Sequence, residues 1–137
     1  MLLADSAQIA DGKLYILGGG WSITGPDPSP SSIVIKLNVD RHEVGMVHHW
    51  ELVLEDADGQ LVTVGDDQQA IEIRGEFSVG APQGLPDGTP VDFPIALGIP
   101  PLDLKPSSRF QWRLYIDGDT LPGGTVAFST RPPRDDA

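Results

Sequence analysis

The sequence predicts an all-β protein: a single antiparallel β-sandwich of about eight or nine strands, immunoglobulin-like or jelly-roll in style. Three observations carry this expectation. Apolar and polar residues alternate in segment after segment, which puts apolar side chains on one face of a strand and polar ones on the other. Proline and glycine, 13 and 16 of 137 residues, are spread along the chain and break it into short runs. No stretch of a dozen residues combines helical apolar spacing with an interior free of glycine and proline.

The elements follow in chain order. Residues 2–17 supply two strands. In "SIVIKLNVD", Ile33, Ile35, Leu37 and Val39 share a face, with Lys36 and Asn38 on the other. In "HHWELVLED", Trp50, Leu52 and Leu54 alternate with His49, Glu51 and Glu55, so His48 belongs to the Trp50 face. "AIEIRGEFSVG" groups Ile71, Ile73, Phe77 and Val79, and "PVDFPIALGI" groups Val91, Phe93, Ile95 and Leu97. Pro94 inside that run marks an edge strand or a bulge, because proline cannot donate to a ladder. "RFQWRLYID" groups Phe110, Trp112, Leu114 and Ile116; "TVAFST" adds Val126 and Phe128. "DADG" (56–59) and "IDGD" (116–119) read as tight hairpin turns, and 80–90 reads as a longer loop. Residues 1–137 form one domain in this reading, with 131–137 as a peripheral polar tail.

Composition excludes several function classes. There is no cysteine, hence no disulfide, no thiolate metal site and no cysteine nucleophile. Twenty acidic residues against nine basic ones give a formal charge of −11, which opposes binding to nucleic acid and to anionic membranes. The start lacks a basic segment before its apolar residues, and no apolar run reaches bilayer-spanning length. The expected location is cytoplasmic.

The three consecutive glycines, Gly18, Gly19 and Gly20, raise the question of a phosphate loop. That chemistry needs a following lysine and a helix N-terminus, whereas "WSITGPDP" supplies neither. The expected role is structural: a bend or bulge that lets Trp21 turn inward and cap the core, with contact to a partner as a further option. For metal, His49 and Glu51 share one strand face, and Asp56 and Asp58 flank a turn with Asp66 and Asp67 beyond it. Turn chemistry alone also explains Asp56 and Asp58. "EFSVG" at 76–80 has Glu76 where a nucleophile elbow needs glycine, and no catalytic residue is assigned.

The N-terminal run Asp5, Ala7, Gln8, Gly12, Lys13, Leu14, Leu17, Gly18, Gly19, Gly20 and Trp21 resembles the opening of an actinobacterial family of uncharacterised proteins, a domain of unknown function. The resemblance implies an all-β fold and transfers no activity. The expected function is a non-enzymatic binding or assembly module, with protein or a second copy as partner and no cofactor. The alternative is a small-molecule or metal-binding protein using the loop carboxylates and His49, with hydrolase-like activity.

Overall fold

A computed structural model describes residues 1–135, so the last two residues of the expected tail lie outside the described residues. The described residues form eleven strands and one 3₁₀ turn, with no α-helix: β1 Leu2–Ala10, β2 Lys13–Gly19, β3 Ile23–Thr24, β4 Ser31–Val39, β5 His48–Asp56, β6 Thr63–Val64, β7 Gln69–Ala70, β8 Glu72–Phe77, β9 Val91–Ile99, β10 Arg109–Ile116 and β11 Asp119–Thr130. Three of these are two residues long, which leaves eight substantial strands. Among the described residues no helix is long and apolar enough to cross a membrane.

Two sheets face each other, with orders β2-β1-β4-β9 and β3-β11-β10-β5-β8; β6 and β7 make a separate small hairpin. All named strand pairs are antiparallel except β3 with β11. The chain crosses between sheets from β2 to the short β3 and back to β4, then from β4 to β5, from β8 to β9 and from β9 to β10. This is the Greek-key order of an immunoglobulin-type sandwich, extended at one edge by β2.

The faces follow the alternation of the sequence. Leu3, Ile33, Ile35 and Ile99 meet Leu52, Leu54, Phe110, Trp112, Leu114 and Phe128 in the main core. Val39, Phe77, Val79 and Val91 form a second cluster at the other end. There Phe77 stacks on Phe93 on one side and on the His48 ring on the other, with ring centroids 4.9 and 5.2 Å away. Pro94 sits in the edge strand β9. Asp117 and Gly118 both have positive φ between Ile116 and Asp119, the geometry of a type I′ hairpin turn.

Three local readings change. The "DADG" turn forms, with Asp56 Oδ1 accepting the amides of Asp58 and Gln60, but it does not lead into a long partner strand. After a single bridge, Glu55 to Leu61, the chain makes the β6–β7 excursion, and β5 pairs with β8. The strand read from "TVAFST" is longer than that run: β11 starts at Asp119 and takes in Pro122, Gly123 and Gly124, where its register against β10 shifts. Finally, β4 and β5 are wet over only part of their second faces, at Lys36, Asn38 and His49. Val34, Val53 and Glu55 are buried there. Glu55 accepts hydrogen bonds from Arg113 Nε at 2.8 Å and Gln111 Nε2 at 3.0 Å, which satisfies a carboxylate that would otherwise be costly to bury.

On β8, Gly75 stands opposite Trp50, and the indole occupies the space its missing side chain leaves. A Cβ at Gly75 would lie 2.5–2.6 Å from ring atoms of Trp50. The ring cannot flex, so Gly75→Ala is expected to destabilise the fold by about 1–3 kcal/mol, read as a lower midpoint in urea. An unchanged midpoint would show that Trp50 is free to move aside.

Candidate functional site

The β1–β2 hairpin is the part of the molecule that departs most from the sandwich. Its turn is Asp11-Gly12, both at positive φ, closed by the pair Ala10 and Lys13. β1 pairs with β4 only over Leu2–Ala4, so the rest of the hairpin has no strand on that side. It nevertheless comes close to β9, which lies two positions from β1 in the sheet. The hairpin therefore folds back toward β9, and Ala4, Ser32 and Val34, which face away from the main core, are buried as well.

Gly18 makes the curl possible. Its φ is +62°, and the Asp5 carboxylate occupies the place where a Cβ would stand. Passing through this left-handed residue, β2 reverses the usual alternation. Ile16, Leu2 and Ala4 all surround Gly19, within 2.7, 3.3 and 4.0 Å of where its Cβ would be. The hairpin face with Ala7 and Leu14 is half-buried as a result. The opposite face turns outward, with Tyr15 50% and Leu17 71% exposed. Five of the nine exposed large apolar residues fall between Ile9 and Ile23, which makes this the main apolar surface among the described residues.

Gly20 donates its amide to the Leu3 carbonyl, and the chain turns so that Trp21 packs on the core edge-on to Phe128, 6.1 Å between centroids. Gly18, Gly19, Gly20 and Trp21 line an open cleft with Asp5 and Arg131. The first residues of the tail are tied down beside it. Arg131 donates its backbone amide to Thr24 and a guanidinium N–H to Gly25 O, and Arg134 pairs with Asp27 at 2.9 Å.

The metal candidates of the sequence are not brought together as one site. His49 and Glu51 lie near the start of β5, with Asp56 at its far end and Asp58 just past it, about 20 Å along the strand. His49 faces Glu76, and Glu51 faces Arg74, in a shallow cleft. Asp56 is engaged in its own turn. The described residues that approach metal-ligand spacing are others: Asp40, His42 and Glu43, on and just before the 3₁₀ turn Arg41–Glu43 and largely exposed. Sequence reasoning passed over them because they lie between strands with no motif spacing.

It also passed over His48 as a polar centre. The His48 side chain is buried on the core face, 6% exposed, and its Nδ1 lies 2.7 Å from Asp117 Oδ2. Asp117 Oδ1 accepts the amide of His49, and the Asp117 amide donates to the His49 carbonyl. The turn of the β10–β11 hairpin is thus fastened to the start of β5. The hydrogen bond to Asp117 holds the His48 pKa above its ordinary 6.5 despite burial, and Glu43 adds to it. The same bond holds Asp117 below its ordinary 3.8. His48 Nε2 and Trp21 Nε1 are buried without a partner among the described residues.

A family model, described as a family of unknown function (DUF6941), matches residues 1–124, which span both sheets and the hairpin. The chain belongs to this family. No curated protein and no solved structure matches it. The DUF6941 match takes in the glycine pivot, the His48–Asp117 pair and ten of the eleven strands in full.

Two predictions arise here. Gly18→Ala meets both positive φ and Asp5, so a loss of about 1 kcal/mol or more is expected, seen as a lower melting temperature; an unchanged one would deny the pivot. For the His48–Asp117 pair the raised histidine pKa stabilises the fold in full below 6.5 and loses that contribution as pH rises through the folded value. The depressed Asp117 pKa stabilises above 3.8 and is lost in stronger acid. Asp117→Asn keeps an acceptor for His49 but removes the charge. The melting-temperature gap between wild type and Asp117→Asn should be widest between pH values of about 4 and 6.5 and should narrow above. A gap independent of pH would overturn the charged pairing.

Proposed function

We propose that this DUF6941 protein is a non-enzymatic assembly module that binds through its β1–β2 hairpin. One observation carries the reading: of the four terminal strands of the two sheets, β2 is the least shielded against strand pairing. Edge strands offer unpaired amides and carbonyls, and soluble proteins block them with proline, charge or brevity. β9 carries Asp92 and Pro94. β8 carries Glu72, Arg74 and Glu76, tied into ion pairs. β3 is two residues long and leads into Gly25-Pro26. β2 reads Lys-Leu-Tyr-Ile-Leu-Gly-Gly, with one charge, at its first residue, and with Tyr15 and Leu17 exposed.

The chemistry of such an edge is backbone hydrogen bonding for affinity and flanking side chains for selectivity, with no reacting group required. The His48–Asp117 pair fits a fastening role, since its aspartate bonds two successive residues of β5 as well as capping a turn.

The test is size in the extract of cells that make the protein. Wild type should elute well above its 14.7 kDa mass, and Leu17→Lys, a charge on the exposed edge, should elute at the monomer position with unchanged melting. Elution of the wild type as a monomer would refute the assembly reading.

A further inference from the structure

We propose that the cavity beside Trp21 holds a small uncharged ligand, an apolar molecule of about four non-hydrogen atoms with one acceptor oxygen. The site is separate from the β2 edge and stands whether or not the chain assembles.

The cavity lies between the two sheets, at the end where β4 starts and β9 and β11 finish. Trp112 and Phe128 reach it from the main core. Ile99 at the end of β9, and Leu102 and Leu104 just after it, supply more apolar surface. Four prolines complete the wall and bring no amide to it. The volume is about 50 Å³, room for about three to five water-sized groups. That sets the size of the ligand.

The polar groups set its chemistry. Both charged side chains of the lining are engaged. Arg131 donates to Gly25 O at 2.7 Å, and Asp27 pairs with Arg134 at 2.9 Å. An ion entering this mostly apolar space would lose its water and gain no counter-charge, so the ligand is neutral. Trp21 Nε1 is different: it is buried without a partner among the described residues. Trp21 stands between this cavity and the open cleft at Gly18, Gly19 and Gly20, and its buried nitrogen turns from the open side. An indole N–H can only donate, and an unpaired donor away from water is costly. A ligand oxygen removes that cost, while its carbons displace water from the apolar wall. Water alone does the first and not the second.

Acetone is the probe, because it has the required size, apolar surface and single oxygen. Acetate has the same shape with a charge. The protein has three tryptophans, so ¹⁵N-labelled material gives three indole N–H signals in solution NMR. With acetone the Trp21 signal should move and saturate in the millimolar range, which is what about four heavy atoms can supply. The Trp50 signal should stay in place, since Trp50 lines a different cleft. Acetate should bind about tenfold more weakly or worse. Trp21→Phe keeps a ring and removes the donor; read at Trp112, its acetone affinity should fall about three- to tenfold. The wild-type titrations decide the matter if that variant fails to fold. A Trp21 signal that stays still, or drifts with Trp50 without saturating, would mean bound water only and overturn the proposal. Equal binding of acetate, or full affinity in Trp21→Phe, would overturn it as well.

Discussion

At Gly18 the backbone runs left-handed with the Asp5 carboxylate standing where a side chain would begin. A strand can reverse which face its residues present only by leaving the β region for a residue, and glycine does so without steric cost. Ala7 and Leu14 are half-buried beside it, and Tyr15 and Leu17 face solvent. Val34 and Ala4, on a face that would otherwise be wet, become buried. Burying such side chains is worth about 1–3 kcal/mol each, comparable with the strain avoided at the pivot. The hairpin is thus held by its own sheet, and its free edge is displayed on a rigid support.

The opposite end of the sandwich is held by different means. The main core is aliphatic and aromatic; the second cluster is small and ends in a histidine. His48 contributes a flat ring to the stack with Phe77 and Phe93 and a polar edge to Asp117. Burial alone would lower a histidine pKa, and the aspartate reverses that tendency. The pair therefore serves packing and hairpin anchoring together, which explains why a polar side chain is kept in a place where an aromatic one would stack as well.

Much of the fold was legible in the sequence, because alternation in an antiparallel sheet reports directly on its faces. Ile33 with Ile35, Leu52 with Leu54, and Phe110 with Trp112 and Leu114 are all core residues as read. The turn at 116–119 and the edge position of Pro94 were equally plain, since each rests on one residue's backbone chemistry. What could not be read is whatever depends on a segment folding back over another. Val34 and Glu55 alternate like surface residues and are buried by distant parts of the chain. Pro122, Gly123 and Gly124 look like a break and are a register shift inside a long strand. The metal candidates were read as two sets, His49 with Glu51 and Asp56 with Asp58, and β5 keeps the two sets about 20 Å apart. The glycine run was recognised as a bend, but which strand edge it would expose depends on the left-handed turn at a single residue.

A strand edge with little protection needs a physical reason to persist. Net charge supplies part of one: a molecule at −11 resists indiscriminate collapse onto its neighbours. Edge blocking would then be redundant everywhere, yet β9, β8 and β3 all carry it. β2 is therefore the least shielded of the four terminal strands. Proline at β9 and paired charges at β8 remove the alternatives that would lead to open-ended stacking. The pivot at Gly18 shortens the open edge to Lys13–Leu17, so pairing there is limited to one short ladder. An edge that is open, short and bounded by a left-handed residue fits closed association with one strand, and not growth into a fibre.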